Sequence, residues 1–121
     1  MREIPRDLPR FVYLRDKRSP LSMPRLLKES EIAKRLRGLH GWSHRGKFIV
    51  KVYEFGEFMD GIRFLNRVAK VAEGYQHHPD LKVRYTTVTI SIQTHSEGGV
   101  TAWDLELARR IEKVASKSSE K

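Results

Sequence analysis

A chain of 121 residues can close one hydrophobic core and is short for two. No apolar run approaches the roughly twenty residues of a membrane span, and the absence of cysteine excludes a disulfide framework and a thiolate zinc site. The net charge of +9 lies in the first half: residues 1–51 carry 14 Lys and Arg against 5 Asp and Glu, whereas residues 52–121 carry ten of each, so catalytic chemistry is sought in the neutral half and the basic half reads as a solvated or polyanion-attracting face.

In chain order, four of the five prolines fall in residues 1–25, which breaks any helical period and marks residues 1–26 as a proline-rich basic arm. Within it, residues 11–14 fit a short extra strand or an extended stretch. The opening "MREIPRDLPR" lacks the apolar stretch of a signal peptide, so cytoplasmic residence is expected. Ile32, Leu36 and Leu39 recur at helical spacing among Lys and Arg, predicting an amphipathic helix over about 27–39 that ends near Gly38 and Gly41. "WSHRGKFIVKVYEF" then places Gly46 between two strand-like runs, predicting a hairpin. In its second run Phe48, Val50 and Val52 form one fully apolar face, and Lys47, Ile49, Lys51 and Tyr53 a mixed one.

Phe58, Ile62, Leu65, Val68 and Ala72 give the longest helical pattern of the chain, with Gly74 placed to cap it. Val83 and Tyr85, then Val88, Ile90 and Ile92, alternate with polar residues as two half-buried strands around a kink near Thr86. "HSEGGVT" reads as a loop, and Trp103, Leu107, Ile111 and Val114 mark a last helix before a polar tail at 116–121. The expected fold is α+β: a two-layer sandwich with an antiparallel sheet of about four strands and helices on one face.

Polar groups collect at the ends of these elements. In "EGYQHHPD" Glu73 and His77 are four apart, which puts both on one face if the helix persists, and Pro79 turns the chain out extended. His95 stands where a strand runs out, and Asp104 opens the last helix as the fourth residue of "TAWD", a capping-box pattern. Singly, each has an ordinary structural role, and His40 and His44 read as surface groups. Jointly they set three imidazoles and two carboxylates at element ends.

The spacing Glu73, three residues, His77-His78-Pro79, five residues, Tyr85, nine residues, His95, eight residues, Asp104 resembles the signature of the pterin-4a-carbinolamine dehydratases. "HGW" with Trp42, "FLNRVAKVAE" and "THSEGGVTAWDLELARRIE" extend the resemblance over about residues 27–115. It implies a cofactor-free, metal-free hydro-lyase that dehydrates a 4a-hydroxytetrahydropterin to the quinonoid dihydropterin, in tetrahydrobiopterin recycling or another pterin pathway. By the resemblance, His77 and His95 transfer protons, His78 contacts substrate, and Glu73 and Asp104 orient and polarise the imidazoles. Trp42 lines the pocket, and Gln76, Thr94 and Ser96 supply hydrogen bonds to the pterin. Which histidine is acid and which base stays open. Ser96 departs from the acidic residue common there, and Lys28 from the usual Ser or Thr, leaving Ser30 as the expected cap.

Two rival readings remain. Glu73, His77 and His95 could form a zinc site, although adjacent histidines followed by proline are an unusual ligand pair. A non-catalytic binding, dimerisation or regulatory module, by analogy with relatives that serve a transcription factor, would need none of the five residues; nucleic acid is its lesser partner class, since no nucleic-acid motif is visible. The resemblance and the exposed strand edges imply a homodimer or homotetramer.

Overall fold

The computed structural model describes residues 24–119. The strand-like stretch at 11–14 and most of the arm lie outside them. Helix α1 spans Glu29–Leu36, strand β1 Ser43–Arg45, strand β2 Phe48–Glu54, helix α2 Phe58–Tyr75, strand β3 Asp80–Arg84 and strand β4 Thr87–Ile92. A single 3-10 turn at His95–Glu97 leads to helix α3, Ala102–Ser119. The sheet has the order β1-β2-β4-β3, antiparallel throughout, so the α+β two-layer reading holds. Among the described residues no helix is long and apolar enough to cross a membrane.

Local chemistry explains several boundaries. Gly46, at φ 59°, takes the left-handed turn between β1 and β2. Helix α1 starts after Lys28 and not at Ser30: the Glu31 carboxylate accepts the Lys28 backbone N–H at 2.8 Å, satisfying an N-terminal donor that the cap residue's side chain does not. The break near Thr86 is a two-residue hairpin turn closing the register at Arg84 opposite Thr87. There Tyr85, 75% exposed, holds φ 53°, a region that non-glycine residues rarely occupy. Helix α3 continues through the stretch read as polar tail, as far as Ser119.

Helices α2 and α3 pack side by side on one face of the sheet. Ile49, Val88, Ile90 and Ile92 rise from the sheet to meet Phe64 and Val68 of α2 and Leu107 and Ile111 of α3, all essentially inaccessible. Each such side chain contributes about 1.5–3 kcal/mol relative to exposure. Helix α2 lies close to the sheet at Gly61, where an added Cβ would stand 3.3 Å from Val88.

The face of β2 turned to the helices is the mixed one. Lys51 runs beneath Gly41, its Nζ donating to the His40 carbonyl at 2.8 Å and to Glu112 Oε2 at 2.9 Å. The Tyr53 hydroxyl and the Trp42 indole N–H donate to the same oxygen, at 2.5 and 3.0 Å. Three donors on one carboxylate make the polar side chains compatible with a covered face. The all-apolar face of Phe48, Val50 and Val52 points away, with Val52 half exposed.

Candidate active site

Helix α2 does not persist to His77. It ends at Tyr75, and Gln76, not Gly74, takes the left-handed cap conformation at φ 58° and ψ 39°. The His77 N–H then returns to the Ala72 carbonyl at 3.2 Å, and the Gln76 side-chain amide donates to the Glu73 carbonyl at 2.8 Å. This reversal exchanges the partners expected from i, i+4 spacing. Glu73 Oε1 bonds His78 Nε2 at 2.8 Å, in the open, while His77 swings inward.

There His77 Nε2 meets Asp104 Oδ1 at 2.6 Å. Asp104 is wholly inaccessible, and its other oxygen accepts the Thr94 hydroxyl and the Thr101 backbone N–H, both at 2.8 Å. The Thr101 N–H bond is the capping interaction expected of "TAWD", so one carboxylate both caps α3 and holds an imidazole. Because the carboxylate accepts, Thr94 donates to it; Thr94 in turn receives the Thr101 hydroxyl proton at 2.8 Å, and Thr101 Oγ1 accepts the Trp103 N–H at 3.2 Å. The direction of each bond in this buried chain is thereby fixed. With Asp104 accepting from Nε2–H, the neutral form of the His77 ring carries its lone pair on Nδ1.

Aromatic rings hold the imidazole laterally. Tyr75 meets it edge to face with centroids 6.5 Å apart, and Trp103 does so at 5.9 Å and 77°. Behind Tyr75, the Arg110 guanidinium lies over the ring at 4.4 Å and donates through Nε to Glu106 at 2.8 Å. His95, first residue of the 3-10 turn, accepts at Nδ1 a long 3.4 Å contact from the Gln93 amide. That leaves its proton on Nε2.

His77, His78 and His95 line one cleft of about 250 Å³, together with Gln76, Gln93, Thr94, Ser96 and Trp103. Strand β4 and the 3-10 turn carry one wall, the end of α2 another, and the start of α3 the third. Glu73 and Asp104 reach the cleft only through the imidazoles they hold. The Thr94 hydroxyl is engaged with Asp104, so the side chain expected to bond substrate instead supports the carboxylate. Trp42 is not at the cleft: it is buried at the opposite end of α3 with Glu112, where the expectation that it lines the pocket does not hold within this chain. Conversely, Gln93 and Trp103 line the cleft without having been singled out; the only signal was their adjacency to Thr94 and Asp104.

A larger groove, about 740 Å³, lies at the other ends of α2 and α3. It contains no histidine, and Asp60 pairs with Arg63 and Glu112 with Lys51 inside it. Among the described residues no group of three or more His, Asp or Glu side chains is gathered in the manner of metal ligands.

Glu112 illustrates how the fold sets charge. Burial raises its carboxyl pKa, but donation from Tyr53, Lys51 and Trp42 outweighs that and leaves it below the usual carboxylate range. Burial, and then the Glu112 carboxylate, push the Tyr53 phenol upward.

Residues 25–114 match the family model described as pterin 4 alpha carbinolamine dehydratase. A protein of Metallosphaera sedula provisionally named pterin-4-alpha-carbinolamine dehydratase is 45% identical over 92 residues, covering 76% of this chain and 95% of that protein. The crystal structure of a transcriptional coactivator/pterin dehydratase from Brucella melitensis superimposes with a TM-score of 0.71 at 35% identity, over 74% of this chain and 98% of that one. A pterin dehydratase-like protein identified as a RuBisCO assembly factor in the alpha-carboxysome superimposes with a TM-score of 0.54 at 25% identity, over 63% and 90% of the two chains.

Proposed function

The chain belongs to the pterin 4 alpha carbinolamine dehydratase family, and on that premise we propose that it dehydrates a 4a-hydroxytetrahydropterin to the quinonoid dihydropterin by histidine acid–base catalysis. The observation that carries this reading is one cleft lined both by His77, tied to the buried Asp104, and by His95.

The reaction breaks the C4a–O bond and the N5–H bond and releases one water. His77 Nδ1, holding a lone pair because Asp104 occupies Nε2–H, takes the N5 proton. His95 Nε2–H hydrogen-bonds the departing hydroxyl, which takes its second proton from solvent, and the His77 imidazolium returns one proton to solvent, so no net proton is consumed. Asp104 stabilises the imidazolium formed on His77 at 2.6 Å, and positioned proton transfers of this kind contribute about 10² to 10⁴ in rate each. His78, steadied by Glu73, contacts the pterin from the open side, and Gln76 and Ser96 offer it polar edges. Direct assay of the dehydration with the unmodified protein and with His77→Ala and His95→Ala variants tests the assignment; full activity in either variant removes it.

A non-catalytic module is the second reading, supported by the names that the two solved neighbours carry for themselves. It requires neither the His77–Asp104 nor the His78–Glu73 pair. We further propose a homodimer or higher homo-oligomer formed at β3, an edge strand exposed at all five residues, the apolar Leu81 and Val83 among them. Sedimentation of the unmodified protein against Val83→Pro tests it, a monomer for the unmodified chain being the contrary result. Cytoplasmic residence belongs to the same reading and is checked by cell fractionation.

A further inference from the structure

We infer that the indole of Trp103 is the wall on which the flat bicyclic substrate stacks, setting the inclination of its plane to the His77 imidazole; this rests on the dehydratase reading above. Apart from the imidazoles themselves, the side chains lining the cleft are polar: Gln76, Gln93, Thr94 and Ser96. Trp103 alone among the described residues brings a large carbon-rich surface there. It is half buried, and so retains accessible area, whereas Tyr75, the other ring against His77, is 5% exposed.

The relative orientation of the two rings gives the stacking a catalytic consequence. The indole stands at 77° to the imidazole plane with centroids 5.9 Å apart. A planar ligand stacked parallel to the indole therefore lies steeply to the imidazole plane. Proton transfer needs a ligand N–H directed along the imidazole lone pair, so the plane that the tryptophan sets constrains the orientation in which the base can act. Trp103 also sits one residue before Asp104, with its N–H anchored on Thr101, so the wall and the carboxylate that orients the base are held by the same turn of α3.

The test uses the full chain with Trp103→Leu, which keeps apolar bulk without a planar face, and Trp103→Phe, which keeps the face. With 4a-hydroxytetrahydropterin as substrate, the Leu variant should show a KM raised about three- to tenfold together with a lowered kcat, and the Phe variant should recover most of both losses. Calorimetric titration with a dihydropterin, which lacks the 4a-hydroxyl and does not turn over, should show the same order of Kd. On the unmodified protein, a dihydropterin should shift the tryptophan emission, and the shift should vanish in Trp103→Phe, whose remaining Trp42 is buried elsewhere; this last measurement stands even if the Leu variant does not fold. Unaltered KM and Kd in the Leu variant, a Phe variant as weak as Leu, or a loss confined to kcat would overturn the inference while leaving the dehydratase reading intact. Absence of both turnover and dihydropterin binding in the unmodified protein would overturn both.

Discussion

Replacing Asp104 by Asn changes one atom in the buried centre of the site, and the structure determines which way the new amide turns. With its oxygen toward Thr94 and Thr101, Asn keeps the two acceptor contacts now made at 2.8 Å and presents NH2 to His77. With the amide reversed, NH2 faces the Thr101 backbone N–H, leaving a buried donor without an acceptor at a cost of about 1–3 kcal/mol. The first orientation wins, so His77 Nε2 must accept in place of donating, and the imidazole proton moves to Nδ1. The base is then capped by its own proton. We expect kcat to fall about 10² to 10⁴-fold, and stability to drop about 1.5–3 kcal/mol with the loss of charge-assisted bonds. Steady-state dehydration gives the first quantity, urea unfolding the second, and nitrogen-15 NMR of the His77 ring reports the tautomer directly. An Asn variant with kcat within about threefold of the unmodified enzyme, or with His77 still protonated at Nε2, would refute the reasoning.

The far end of the molecule should behave differently. Glu112→Ala strips the shared acceptor from Lys51, Tyr53 and Trp42, and we expect a loss of about 3 kcal/mol in urea unfolding with kcat retained, since none of these groups reaches the cleft. A collapse of kcat in the folded variant would mean that Trp42 serves the reaction after all. Acid stability follows from two surface carboxylates. The hydrogen bond from Arg109, with Arg110 adding to it, lowers Glu106 to about 2, and that from Arg25, followed by the Lys28 N–H, lowers Glu31 to about 2, against 4.5 for an ordinary Glu. Both folded-state values lie below the unfolded one, so the stabilisation is complete above about pH 4.5 and disappears as pH falls toward 2. Thermal melts of Glu106→Gln between those values should show a shallower pH dependence than the unmodified protein; parallel curves would contradict it.

Much of the fold was legible because its signals are periodic. The apolar spacing from Phe58 onward placed α2 from its first residue, and the alternation Val88, Ile90, Ile92 placed β4 with its buried face correct. In β2 the two faces could be told apart in the sequence but not which of them is covered: the covered face is the mixed one carrying Lys51 and Tyr53, because a distant carboxylate, Glu112, waits for them. No pattern local to β2 encodes a partner some sixty residues away. The site shows the same limit. Its residues stand together in the sequence motif, yet their pairing depended on one backbone reversal at Gln76, a residue with no strong left-handed preference, which sends His77 to Asp104 and leaves Glu73 to His78. Trp103 was read as a helix marker because a tryptophan at helical spacing usually packs inward, and here it borders the cleft.

The central claim is that His77 and His95 act on one bound pterin. It is tested most directly by following dehydration of a chemically prepared 4a-hydroxytetrahydropterin, at neutral pH, with the unmodified protein, His77→Ala, His95→Ala and the double variant. The account predicts rapid dehydration by the unmodified protein, a loss of about 10² or more in each single variant, and little further loss in the double, as expected of groups that act as a unit. Equal rates in all four proteins, no faster than buffer, would contradict it.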